Sequence, residues 1–301
     1  MSSTSPEIWQ STSNPIHICA RASITFTLAR MLTRFLVWLC GVSPGPRRAL
    51  WRWWYNKLAK EIGQAEWTFM NYGFRPANGE GELELRAEDE GDRFCIQLYE
   101  RVTGGVELGG KDTLEIGSGR GGGASYLARY RGPRLITGVD YSAEAIAFCE
   151  RRHAGIGNLQ FSRGDAERLE QPDHSVDVVV NVESSHCYGN IRMFFNEVAR
   201  TLRPGGHFLF ADLRGAAEME ELKQALRETS RFEIIREENI SAGVVAAMEA
   251  DDKRKRQMIE RLVPQTIRPL FREFAGRQGG QVFEGLKSQR LVYWRFVIRR
   301  I

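Results

Sequence analysis

From Lys111 onward, short apolar runs alternate with stretches of helical spacing. Residues 113–116, 135–140, 159–165, 176–182, 207–212 and 232–240 read as six strands, and residues 291–298 as a last one of alternating character. The run from Val176 to Val182 is apolar enough to sit centrally in a parallel sheet. Ser142 is the expected N-cap of a helix carrying Ala145, Ile146, Phe148 and Cys149, and residues 92–102, 191–202 and 218–230 read as further helices. Such alternation predicts an α/β fold, a doubly wound sheet.

Two stretches stand outside this rhythm. Residues 241–290 are too long for a plain connection and predict a helical cap over the carboxyl ends of the strands. Their charged run, Asp251-Asp-Lys-Arg-Lys-Arg256, reads as a solvated helix face. At the other end, residues 1–21 are rich in Ser and Thr and predict a disordered N-terminus. Residues 22–66 predict a helical extension. In it Ile24, Leu28, Met31, Leu32, Phe35, Leu36 and Leu39 recur at helical spacing opposite Arg30 and Arg34, and Trp51, Trp53, Trp54 and Tyr55 follow. The arginines interrupt the apolar run, which argues against a membrane span. Three readings stay open: peripheral contact with a membrane surface through residues 22–60, a helix packed on the body, or a targeting segment.

Composition narrows the class. Of the 301 residues 42% are apolar and 27% charged, so a sizeable core is expected. The formal charge of +4 is unevenly placed: residues 1–60 hold eight Lys and Arg against Glu7 alone, about +7, leaving the remainder at 4 − 7 = −3. A slightly acidic body is a poor nucleic-acid surface. The five cysteines are scattered with no C-x-x-C pair, which fits a reducing, cytoplasmic setting and no zinc site.

The chemistry centres on residues 113–126, TLEIGSGRGGGASY, a strand, glycine turn and helix start. Gly117-x-Gly119-x-x-Gly122 with Asp140 further on matches a dinucleotide fingerprint, so a nicotinamide- or flavin-dependent oxidoreductase is one reading. S-adenosylmethionine is the other. Glu115 inside the strand suits a ligand with a cationic amino group and repels a pyrophosphate. Gly164-Asp165-Ala166, after the third strand, offers a carboxylate to an adenine amino group.

At these motifs (LEIGSGRGGG, GVDYS, GDAE, VVVNVESSHCY and LRPGGHFLFADL) the chain resembles the class I S-adenosylmethionine-dependent methyltransferases. FMNYGF, NVESSHCY and RLVYWRFVIRR are similar to the bacterial branch methylating hydroxyls of long-chain lipids and polyketides, which includes the phthiotriol/phenolphthiotriol dimycocerosate and fatty-acid O-methyltransferases. The resemblance covers residues 67–301. It implies a Rossmann-like seven-stranded sheet with the last strand antiparallel. It also implies S-adenosyl-L-methionine held by Glu115, Gly117, Ser118, Gly119, Asp140, Tyr141, Asp165, Ala166 and Asn181, with no metal.

Methyl transfer to an alcohol needs the hydroxyl proton withdrawn, and the end of the fourth strand is the expected floor. His186 is the first choice of base, its imidazole titrating near neutrality. Glu183, three residues before, would orient it or touch the reactants; Tyr188 would bind a substrate oxygen. A rival chemistry methylates an alkene carbon of a terpenoid or lipid, with Glu183 and aromatic faces stabilising a carbocation. The expected acceptor is a hydrophobic small molecule.

Overall fold

The computed structural model describes residues 67–77, 83–265, 268 and 275–301. The expectations for residues 1–66 lie outside the described residues. Among the described residues no helix is long and apolar enough to cross a membrane.

Seven strands form one sheet: β1 (Asp112–Ile116), β2 (Leu135–Asp140), β3 (Leu159–Arg163), β4 (Val176–Val182), β5 (Leu202–Gly215), β6 (Phe232–Asn239) and β7 (Leu291–Arg300). Their order is β3-β2-β1-β4-β5-β7-β6. The first five pair in parallel; β7 runs antiparallel to both β5 and β6. Seven α-helices are described: α1 (Arg93–Thr103), α2 (Gly122–Tyr130), α3 (Ala143–Arg152), α4 (Ile191–Thr201), α5 (Ala216–Arg227), α6 (Ser241–Leu262) and α7 (Gln281–Lys287). Ser142 caps α3 through Ala145 N, and Asn190 caps α4 through Arg192 N and Met193 N.

Strand alternation decides which helices each face receives. Val178, Val180, Val182, Leu209 and Ala211 point into a core shared with α1, α2, α6 and α7. Val179, Phe208 and Phe210 point the other way, onto Phe194, Phe195 and Val198 of α4 and Met219 and Leu222 of α5. Rings dominate this second layer; Phe208 stacks on Phe210 at 5.2 Å, and Phe210 on Phe296 at 5.7 Å.

Two details differ from the sequence expectation. Strand β5 is longer than residues 207–212, because Arg203-Pro-Gly-Gly206 is an excursion inside it. Val176 pairs with Leu202 and Val178 with His207, and the intervening residues bulge out at Gly205, where φ is 79°. The charged run of α6 is also not a solvated face: Asp251, Asp252 and Lys255 are buried. Arg254 holds Asp251 at 2.6 Å, Gln278 N donates to Asp252 at 3.2 Å, and Lys255 Nζ donates to Tyr72 O at 3.4 Å. Tyr72 and Gln278 come from segments remote in sequence, which the helix's own pattern does not reveal.

Strand β6 ends and β7 begins at the edge where the parallel strands also end, so α6 and α7 start and finish beside the loops after β1, β4 and β5.

Candidate active site

The turn after β1 is built from left-handed backbone. Gly117, Gly119 and Gly121 have φ of 74°, 54° and 76°. A side chain on Gly117 would also lie 2.3 Å from Ser184 Oγ, so this position admits only glycine. The turn is tied to the next strand: Gly117 N and Ser118 N donate to Val139 O at 2.8 and 3.0 Å. Asp140 closes the arrangement by accepting from Gly119 N and Ser142 N, both at 2.9 Å. Burial raises its carboxyl above the ordinary range.

Glu115 sits beneath the turn, fully out of water. Its Oε1 accepts from the Tyr99 hydroxyl at 2.6 Å, while Oε2 has no hydrogen-bond partner among the described residues. Burial pushes this carboxyl up to about 8, with the Tyr99 hydroxyl and the Ala124 amide pulling the other way. Ser118 Oγ and Asn181 Oδ1 are likewise buried and unbonded. Buried polar atoms are normally satisfied. Three such atoms around a glycine turn that admits close approach fit a polar ligand, and the bare Glu115 oxygen fits a cationic amino group. Tyr141, Asp165 and Ala166 lie farther along the same edge. Tyr141 is 41% exposed, Asp165 Oδ1 accepts from Glu167 N at 3.0 Å, and Ala166 packs against the second core.

The end of β4 forms the neighbouring floor. Asn181 Nδ2 reaches Ile116 O (2.8 Å), Ser184 Oγ (2.7 Å) and the Tyr188 hydroxyl (2.9 Å). Tyr188 also meets Ser184 Oγ at 2.9 Å. Its hydroxyl is therefore engaged beside the glycine turn, bracing the floor. Glu183 has φ of 51°, a conformation uncommon outside glycine. It is held there by Glu183 N to Ala211 O and by Tyr72 N donating to its Oε1, each 2.9 Å. Burial pushes the Glu183 carboxyl up to about 7.

Asp212, at the end of β5, is the partner of His186. Its Oδ1 meets His186 Nδ1 at 2.8 Å, and its Oδ2 accepts from His186 N (2.9 Å), Ser185 Oγ (2.5 Å) and Arg214 Nη1 (3.1 Å). Burial would raise Asp212, but Arg214 and His186 hold it well below the usual carboxylate range. Burial likewise opposes a charged His186, yet Cys187 and Asp212 outweigh it and push the imidazole up to about 10. Sequence reasoning set Glu183 ahead of Asp212 as the group orienting His186. An acid closing an apolar strand was the available signal; the parallel register that aligns β4 with β5 was not visible. Tyr99, Tyr293 and Arg214 went unnoticed for the same reason, while Tyr72 was expected only as one of the aromatic faces of the rival chemistry.

Residues 67–77 cross above both halves. Arg120 Nε donates to Trp67 O at 2.5 Å while its guanidinium lies 3.7 Å from the Phe148 ring centroid. Gly122 N donates to Thr68 O at 3.3 Å. On the far side of the floor, a groove of about 700 Å³ between the 185–189 turn and α5 reaches His186 and Arg214. Among the described residues no group of three or more His, Cys, Asp or Glu is placed to hold a metal ion.

The chain is similar to known proteins. Residues 114–210 match a family described as "Methyltransferase domain". The chain is 39% identical over 246 residues to the phthiotriol/phenolphthiotriol dimycocerosates methyltransferase of Mycobacterium tuberculosis, covering 82% of this chain and 90% of that one. It is 36% identical to the fatty-acid O-methyltransferase of Mycolicibacterium smegmatis over 239 residues, 79% of this chain and 85% of that one. Among solved structures, geranyl diphosphate C-methyltransferase from Streptomyces coelicolor A3(2), determined with S-adenosyl-L-homocysteine, superposes with a TM-score of 0.58. That match has 16% identity over 82% of this chain and 98% of that one, a likeness of fold.

Proposed function

The chain belongs to the S-adenosylmethionine-dependent methyltransferases, in the family of the phthiotriol/phenolphthiotriol dimycocerosate enzymes, and we propose that it methylates a hydroxyl of a hydrophobic lipid or polyketide acceptor. The observation that carries this reading is the His186–Asp212 pair on the floor beside the glycine turn.

In this reading Glu115 takes the cofactor's amino group, the glycine turn its methionine part, Asp140 the ribose and Asp165 the adenine. When bound, S-adenosylmethionine supplies a methyl on a sulfonium sulfur and departs as a neutral thioether, so no acid is required. The chain's own task is to bring the acceptor oxygen into line and remove its proton. Asp212 fixes the His186 ring through Nδ1, Cys187 hydrogen-bonds the ring as well, and in its neutral form the imidazole takes the proton. In the cofactor-free chain burial is outweighed by Cys187 and Asp212, which hold the ring charged up to about 10, so the base forms only once the positive charge of the bound cofactor favours the neutral ring.

The floor also favours an alcohol over a carboxylic acid. Glu115, Glu183 and Asp212 are three carboxyl groups on one edge, and the floor's described cations, His186 and Arg214, are both bound to Asp212. A carboxylate acceptor would need no base, whereas a neutral hydroxyl does need one, and the His186–Asp212 pair is the group to supply it. A second reading, methylation of an alkene carbon, is supported by Glu183 lying between Tyr72 and Tyr293, where a cation could be stabilised. Residues 67–77 and 241–290 would enclose the acceptor, and the basic N-terminal sixty residues would bring the enzyme to an anionic membrane surface.

Labelled methyl transfer into fractionated lipid and polyketide extracts, with mass spectrometry of the product, tests the reading; label in an ether supports it and label on carbon replaces it. With a matched pair of acceptors, the long-chain alcohol is expected to be methylated in preference to the acid of equal length. His186→Ala is expected to lower turnover by about 10²–10⁴-fold. Unchanged turnover of that variant would remove His186 from the role of base.

A further inference from the structure

Resting on the reading of His186 as base, we propose that Arg214 is a positioning residue that sets the basicity of the His186–Asp212 pair by sharing the Asp212 carboxylate with the imidazole. Arg214 is not a surface arginine that happens to meet an acid. Its side chain is only 9% exposed and its guanidinium has a fixed set of partners. Nη1 donates to Asp212 Oδ2 (3.1 Å) and to Leu213 O (3.0 Å); Nη2 donates to Ser185 Oγ (2.9 Å), which itself donates to the same Asp212 Oδ2 at 2.5 Å. One carboxylate oxygen therefore serves the cation and hydroxyl of Arg214 and Ser185 together with His186 N, while the other faces the imidazole.

The consequence follows from charge. An imidazole paired with a buried carboxylate alone holds its proton tightly and is a poor acceptor at neutral pH. A second cation on that carboxylate divides its negative potential and repels the imidazolium, easing release of the proton. The other groups facing the pair leave this duty to Arg214. Glu183 at the end of β4, Cys187 in the same turn, Tyr72 of the crossing segment and Tyr293 of β7 are neutral or negative groups. Glu218, Glu220 and Glu221 of α5 line the adjoining groove together with Arg192 of α4, whose charge is engaged by Glu228 at the exposed rim. All of these either favour the charged ring or leave it unchanged.

The test measures the ring and the reaction separately. Ring-labelled histidine is titrated by NMR in the cofactor-free protein, and turnover is followed against pH, for wild type, Arg214→Met and Arg214→Lys. In Arg214→Met the His186 titration and the acid limb of turnover are expected to move up by about one pH unit, leaving about tenfold less neutral imidazole below the limb. Arg214→Lys is expected to restore most of that shift. If Arg214→Met lowers turnover without moving either titration, Arg214 is merely structural and the proposal is overturned. Should Arg214→Met not fold, Ser185→Ala, which removes one anchor of Arg214 and one donor to Asp212, is expected to move both titrations upward, and no movement overturns the proposal equally. A ring titration that moves while His186→Ala retains full turnover upholds the tuning and rejects His186 as base.

Discussion

Glu115 combines full burial, one oxygen held by Tyr99 and one left bare, and its carboxyl is pushed up to about 8. At pH 7 it is therefore protonated in the cofactor-free chain. An ammonium group arriving at Oε2 favours the carboxylate, so cofactor binding is expected to release a proton and to tighten as pH rises through about 8. Calorimetry in two buffers of different ionisation enthalpy measures that release directly; Glu115→Gln should abolish it and weaken binding, and an unchanged release would clear Glu115 of the role. Stability follows the same sign. The folded pKa lies above the unfolded one, so this group's contribution is complete below about 4.5 and is lost as pH rises through about 8. Glu115→Gln is accordingly expected to lose less thermal stability between pH 7 and 9 than the wild type. The residue itself was legible from its spacing before Gly117. Its partner was not, because Tyr99 lies on a helix whose packing on β1 no local pattern records.

The packing of α1 on α2 connects that residue to its elements. A Cβ on Gly123 would fall 2.0 Å from Tyr99 Cζ, so the glycine is the gap into which the tyrosine ring fits. Gly123→Ala is expected to lower stability by about 1–3 kcal/mol through overpacking and, by displacing Tyr99, to weaken cofactor binding as well. Thermal unfolding and a binding titration read the two effects; a variant as stable as wild type with unaltered binding would show that Tyr99 is free to move aside. Most elements were readable because strand alternation and helix caps are local signals: Ser142 caps α3 as its position foretold. The failures occur where long-range contacts override the local signal. In α6 the charges at 251–256 look solvated until Tyr72, Arg277 and Gln278 are brought against them. In β5 the sequence RPGG looks like a stop, yet the strand resumes because its pairing with β4 continues beyond the bulge.

At the scale of the molecule, the strand order gathers the chemistry onto one edge. Placing β7 between β5 and β6 sets Tyr293 opposite Leu213, one residue beyond Asp212. Charge is partitioned at the same scale, about +7 in residues 1–60 and −3 in the rest. The hydrophobic acceptor proposed above would be met at a membrane surface, and the acidic body would be repelled by an anionic one. In the proposed recruitment to a membrane, attraction would come from the N-terminal arginines and lysines, each contributing on the order of 1 kcal/mol near such a surface. The full chain is expected to co-sediment with vesicles containing phosphatidylserine at low salt, to lose binding as salt rises, and to ignore purely zwitterionic vesicles. Replacing Arg30, Arg34, Arg47 and Arg48 together with Gln should abolish sedimentation while turnover of a short, soluble alcohol is retained, since none of the four lies within the catalytic region described. Equal binding to zwitterionic vesicles, unaffected by salt, would show that apolar contact rather than charge recruits the enzyme.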